Sequence, residues 1–139
     1  MMRAAAQALE NRPARPYLIG VTVLTSLDAS DLRAVGIAGE PVAAVRRMAD
    51  LARDCGLDGI VCSPQELPVL RTAFDPPFLM VTPGIRPTTH VAGTDDQKRV
   101  MTPALAREAG ADYLVVGRPI TEAESPMDVV ASINETLQA

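Results

Sequence analysis

Phe78-Leu79-Met80-Val81-Thr82-Pro83-Gly84-Ile85-Arg86-Pro87 passes within ten residues from a buried strand to a loop that carries a cation. Phe78–Thr82 is a short apolar run of the buried-strand kind, and Pro83-Gly84 ends it. The same order returns at Tyr113–Gly117, an apolar run that leads into Gly117-Arg118-Pro119-Ile120-Thr121. Working outward, Tyr17–Leu24 and Gly59–Cys62 are two more runs of this type. Each is followed by a polar or Gly/Pro loop and then by a helical segment. Strand then helix, repeated four times, implies an α/β chain of parallel strands joined by right-handed crossovers. Four such βα units are about half of a (β/α)8 barrel, which needs roughly 250 residues. A small open, doubly wound sheet has the same periodicity, so the decision between the two rests on the loops.

Helix starts are well marked. Ser63-Pro64, Thr102-Pro103 and Ser125-Pro126 each pair a hydroxyl cap with a proline at the first helical position. The hydroxyl accepts an orphan N–H of the first turn, and proline has no N–H to leave unsatisfied there. Glu66 stands three residues after Ser63 and completes a capping box. A fourth helix opens at Glu40-Pro41; Val42, Val45, Met48, Ala49 and Ala52 follow helical spacing, and Gly56 stands where a C-terminal cap belongs. Met1–Leu9 reads as a helix with no strand before it, and Asn11–Pro16 as its exit linker.

The 139 residues are expected to form one domain, 1–139, with 47% hydrophobic and 22% charged side chains. The apolar residues are mainly Ala, Val and Leu, which suit parallel strands covered by helices. A net charge of −4 and a single lysine, Lys98, argue against a nucleic-acid or anionic-membrane surface. A site for an anionic ligand must then be built mostly from arginine, whose fork suits phosphate. Cys55 and Cys62 have no metal-ligand spacing and read as reduced thiols. His90 is the only histidine and reads as a loop residue, so no metal is expected. No signal-peptide pattern and no apolar stretch of membrane-spanning length is present, which makes the cytoplasm the default address.

Chemistry gathers just after the strands. Thr25 and Ser26 follow the first, Gly84 and Arg86 the third, and Gly117 and Arg118 the fourth. The two glycines would let backbone N–H groups approach an anion, and the two arginines would supply charge and forked donors. Barrel enzymes often hold a phosphate on the loops after strands seven and eight. Singly, each feature has a plainer reading: Gly84 as a turn, Arg118 paired with Glu122, Thr25 and Ser26 as turn formers. Asp95–Arg99 reads as a solvated charged face. Together, on consecutive strand ends, the Gly/Arg loops point to phosphate.

In combination these segments resemble orotidine 5′-monophosphate decarboxylase of the bacterial type. The matching segments are Val21-Thr22-Val23-Leu24-Thr25-Ser26, Gly59-Ile60-Val61-Cys62-Ser63-Pro64-Gln65-Glu66, Val81–Pro87, Asp96-Gln97-Lys98-Arg99-Val100 and Val116–Thr121. They run in the family's order along nearly the whole chain. The resemblance implies the C-terminal half of a TIM barrel, a cofactor-free carboxy-lyase family and an orotidylate or uridylate ligand. It assigns the 5′-phosphate to Arg86, Gln97, Arg118 and the Gly117 N–H, and places Thr25 near the pyrimidine. The Arg86–Gln97 connection looks about two residues longer than the family's, so the aim of Gln97 is the loosest of these assignments.

The family's centre is a network of two Asp and two Lys on the first barrel strands, marked by an Asp-x-Lys-x-x-Asp signature. Here the only Asp-x-Lys is Asp96-Gln97-Lys98, with Met101 where the second acid belongs. No residue is therefore assigned as catalytic. The expectation is a phosphate-binding half from a truncated, split or late-started reading frame, inactive and poorly soluble alone. Two alternatives stand beside it: a non-catalytic nucleotide-phosphate module, dimeric so as to close its strand edges, or one half of a split enzyme. A different phosphate-handling βα barrel fits the order of motifs less well.

Overall fold

Four short strands pair in parallel: β1 (Ile19–Val21), β2 (Gly59–Val61), β3 (Leu79–Thr82) and β4 (Tyr113–Leu114). The computed structural model describes residues 1–87 and 100–138. The sheet order is β1-β2-β3-β4, so neighbours in sequence are neighbours in space. A doubly wound sheet reverses its order at a switch point, whereas a barrel adds each strand beside the last. The sequential order settles the question that periodicity leaves open, in favour of half a barrel.

Side chains alternate across the strands. Ile60 and Met80 point toward the helices and are fully buried with Val45 and Ala49 of α3 (Pro41–Asp54) and with Leu67 and Leu70 of α4 (Leu67–Arg71). Alanines at 44, 49 and 52 let α3 lie close to the sheet. Just after α4, the Phe74 ring stacks on Phe78 at 5.2 Å between centroids, and the Arg46 and Arg53 guanidiniums sit 5.1 and 4.9 Å from its centre. On the opposite face the register lines up Val21, Val61, Val81 and Tyr113. The outer two of these belong to the sheet's edge strands and are exposed.

Proline begins the helices where the sequence indicates, at α3, at the 3-10 turn Pro64–Glu66, at α5 (Pro103–Glu108) and at α7 (Pro126–Gln138). The Ser63 N–H donates to Glu66 Oε2 at 2.8 Å, the expected capping box. α1 spans Met2–Leu9. Three details differ from expectation. Tyr17–Leu24 and Tyr113–Gly117 shrink to three and two paired residues, the lengths over which each meets its one neighbour. The loop after β1 contains a helix, α2 (Ala29–Ala34), which Asp28 caps through the N–H groups of Ser30 and Asp31. The segment after Gly117 coils into a one-turn helix, α6 (Arg118–Thr121).

The structure also exposes an internal repeat. Leu51-Ala52-Arg53-Asp54-Cys55-Gly56-Leu57-Asp58 closes α3, and Leu105-Ala106-Arg107-Glu108-Ala109-Gly110-Ala111-Asp112 closes α5. Gly56 and Gly110 take φ of +82° and +105°, a left-handed turn that glycine enters without strain. Leu57 and Ala111 then donate back to Ala52 and Ala106 at 3.1 and 2.9 Å. Asp58 grips Leu18 twice, its N–H donating to the Leu18 carbonyl at 2.9 Å and its Oδ2 accepting from the Leu18 N–H at 2.7 Å. Asp112 does the same to Met80, at 3.0 and 2.6 Å. Each aspartate is held by an arginine, Arg15 for Asp58 and Arg71 for Asp112. The exit linker 11–16 thus carries half of a clamp.

Candidate functional site

Because all four strands are parallel, their C-terminal ends share one edge of the sheet, and the loops assigned to ligand binding leave from it. Thr25 follows β1 and is buried. Arg86 follows β3, half-buried, with Nη1 donating to the Ile85 carbonyl at 2.9 Å. Gly117 and Arg118 follow β4, with Gly117 exposed and Arg118 half-buried. Arg86 and Arg118 therefore leave adjacent, hydrogen-bonded strands. Thr25 leaves the far edge strand. At about 4.8 Å per strand step, Thr25 and Arg118 belong to strands roughly 14 Å apart along the sheet. Gln97 lies outside the described residues, as do His90 and the Asp96-Gln97-Lys98 run.

The two glycines are glycine for different reasons. Gly84 has φ of +80°, so the turn itself demands it. Around Gly117 nothing stands within 4 Å of where a Cβ would be. Packing in the folded chain does not call for glycine at 117. Its carbonyl is used, accepting from Ile120 and Thr121 at 2.8 and 3.1 Å.

The long connection between β3 and α5 is pinned at both ends. The Arg86 N–H donates to the Met101 carbonyl at 2.9 Å, and the Met101 N–H donates to the Gly84 carbonyl at 3.2 Å. Ile85, between them, is fully buried. This parallel bridge fixes the backbone on either side of Ile85 and so holds the chain where it enters Arg86. It escapes a reading by hydrophobic runs because Val100-Met101 is an apolar pair too short to read as a strand.

Between the Thr25 and Arg86 loops, β2 ends in Cys62-Ser63-Pro64-Gln65-Glu66. Ser63 and Glu66 are both buried, and the Glu66 carboxylate occupies the N–H of Ser63. Cys62 rests its sulfur 3.9 Å from Met80 Sδ. Burial, reinforced by the negative charge of Glu66, pushes its thiol up to about 12, so it is no nucleophile. Both cysteines are free, and among the described residues no group of His, Cys, Asp or Glu has a metal-binding arrangement. Among the same residues no helix is long and apolar enough to cross a membrane.

Sequential parallel strands with polar loops on their C-terminal ends define the class: a βα half-barrel. The chain belongs to the orotidine 5′-phosphate decarboxylase / HUMPS family, whose model matches residues 1–133. It is 53% identical over 137 residues to orotidine 5′-phosphate decarboxylase of Alcanivorax borkumensis and 56% identical over 137 residues to that of Chromobacterium violaceum. Each match covers 99% of this chain but 58% and 55% of the relative, so the chain spans little more than half their length. The crystal structure of orotidine 5′-phosphate decarboxylase from Lactobacillus acidophilus superposes with a TM-score of 0.81 at 33% identity, covering the whole chain and 58% of that protein.

Proposed function

We propose that this chain is the phosphate-holding half of an orotidylate decarboxylase, working in pyrimidine biosynthesis in the cytoplasm without a cofactor. The observation that carries the reading is the pair of Gly/Arg loops leaving adjacent paired strands, one with its glycine backbone open. Arg86 and Arg118 supply forked donors to a 5′-phosphate, Gly117 adds its N–H, and Gln97 closes the set from the long connection. Thr25, two strands from Arg86 and three from Arg118, takes the pyrimidine end. The spread from Thr25 to Arg118 suits a nucleotide better than a bare phosphate.

Chemistry is a different matter. Loss of CO2 leaves a carbanion that needs a proton donor beside a charged network, and no residue of this chain is assigned to that role. Binding energy from a remote phosphate accelerates a reaction only when spent on a reacting centre. This chain alone therefore binds nucleotide and does not turn it over.

Calorimetric titration with UMP tests the first half of this reading. Saturable binding is expected, weakened about 10- to 100-fold in Arg118→Ala through loss of charged hydrogen bonds. Equal affinity in the variant would remove Arg118 from the site. Absorbance during incubation with orotidylate tests the second half, and turnover by the chain alone overturns it.

A further inference from the structure

Residue 101 is joined twice to the loop that carries Arg86. Its N–H donates to the Gly84 carbonyl at 3.2 Å, and its carbonyl accepts from the Arg86 N–H at 2.9 Å. Gly84 and Ile85 are buried, so water cannot take over the Gly84 carbonyl if residue 101 lets go. The Arg86 side chain depends on the same stretch, because its Nη1 donates to the Ile85 carbonyl at 2.9 Å. The Met101 side chain is a half-buried thioether with neither charge nor a strong hydrogen bond to offer. What Met101 brings to Arg86 is its backbone.

Behind Met101 the chain is anchored. The Thr102 carbonyl accepts from the Ala106 N–H at 3.0 Å, and its hydroxyl caps α5 through the Leu105 N–H at 3.4 Å. At its other end α5 leads through Gly110 to Asp112, which grips Met80 of β3. α5 is therefore strapped to β3 twice, below by Asp112 on Met80 and above by Met101 on Gly84 and Arg86. The first unit has the lower strap, Asp58 on Leu18, but among the described residues no such bridge ties the loop after β1 to α3. A βα unit of this design thus packs without an upper strap. The strap occurs in the unit whose loop carries Arg86.

We propose that Met101 is a positioning residue for the ligand: its backbone sets where Arg86 enters the phosphate site, and it touches no ligand itself. This rests on the nucleotide reading above and deepens it. An arginine fork draws its strength from aligned hydrogen bonds, which weaken steeply once the donors tilt. A backbone able to turn about Gly84, whose φ is +80°, carries the guanidinium off line. The two bonds to residue 101 remove that freedom.

Calorimetric titration of the full 139-residue chain with UMP tests this through a double-mutant cycle. Met101→Pro deletes the N–H that holds Gly84 and should weaken UMP binding about tenfold. Arg86→Ala should weaken it about 10- to 100-fold. Because Met101 acts through Arg86, the double variant should bind within about twofold of Arg86→Ala alone. The conservative variant Met101→Leu, with both backbone bonds, recovers the original affinity. If Met101→Pro loses the circular dichroism of the folded chain, Met101→Gly takes its place in the cycle. It keeps both bonds, frees the backbone and should weaken UMP about threefold, again with no added loss beside Arg86→Ala. Additive losses, or a folded variant at 101 that binds UMP as tightly as the original, overturn the inference. Arg118→Ala reports on the function separately. Weakened binding there, beside full affinity in the variant at 101, removes the positioning role and leaves the nucleotide reading standing. Affinity indifferent to both arginines removes the two together.

Discussion

The two halves of the sheet, β1–β2 and β3–β4, are assembled alike at their entrances and differently at their exits. At the entrances, Asp58 and Asp112 make matching pairs of backbone hydrogen bonds, to Leu18 and Met80, after matching left-handed glycine turns. At the exits, β2 leads to Ser63, whose N–H is already taken by Glu66, whereas β4 leads to Gly117, with open space around it. One unit fills its strand end from within; the other leaves open space beside its glycine. In this repeat the entrance is where stability is conserved and the exit is where binding is free to differ.

The largest asymmetry expected within the shared scaffold is between the two arginines. Arg71 donates to Gly110, Phe74 and Phe78 carbonyls at 2.8, 3.2 and 2.9 Å as well as to Asp112, and is mostly buried. Among the described residues Arg15 binds Asp58 alone, and it lies nearer the surface. Arg71→Ala should cost about 2 to 4 kcal/mol in urea unfolding, because it strands several acceptors. Arg15→Ala should shift the midpoint far less, as exposed pairs do. Similar shifts for both would mean that the clamps are equivalent in energy as well as geometry.

Next in size is a contrast between glycines. Gly59→Ala forces a Cβ into the Leu79 backbone and should destabilise by about 1 to 3 kcal/mol. Gly117→Ala meets open space and should leave the melting temperature unchanged, while UMP affinity falls about tenfold because the added methyl group holds the phosphate off a backbone N–H that alanine retains. A Gly117→Ala protein that binds UMP normally would mean that no ligand group comes close to this stretch of backbone.

The smallest effects are in pH. The Arg15 guanidinium, with help from the Leu18 N–H, holds the Asp58 carboxyl below its ordinary value of 3.8. Its contribution is present above that value and fades as pH falls further, so Asp58→Asn should flatten the acid limb of the stability curve. Burial acts oppositely on Cys62, raising its thiol from 9.0 to about 12. That contribution is intact below pH 9 and is lost between pH 9 and about 12 as the unfolded chain ionises first. A thiol reagent at pH 8 should label half-buried Cys55 and spare Cys62; equal labelling would contradict the burial.

Features written in adjacent residues were legible in the sequence. Ser63-Pro64 and Thr102-Pro103 announce helices because capping is settled within one turn, and Gly84-Ile85-Arg86 announces a polar exit because proline and glycine stop a strand locally. Asp28-x-x-Asp31 obeys the same logic, but aspartate stands where the usual box has glutamate, and no helix is read there from the sequence. The clamps are harder to see. Asp58 and Asp112 are ordinary surface acids until their partners, 40 and 32 residues away, are known. Strand order was equally hidden, since period and run length are identical in an open sheet and in a barrel. Of the residues proposed for the site, Thr25, Arg86, Gly117 and Arg118 follow the C-terminal ends of the strands along one edge of the sheet, while Gln97 lies outside the described residues.

The clamps also bear on the order of events during synthesis. The Leu18–Asp58 pair involves nothing C-terminal to β2, so a nascent chain can complete its first βα unit before β3 has been translated. Met80 and Asp112 form the corresponding checkpoint for the second unit. Each closes a loop of modest length, which keeps the entropic barrier low and lets the two units nucleate independently. Pulse-labelled hydrogen exchange on stalled chains should find the Leu18 amide protected as soon as β2 has emerged.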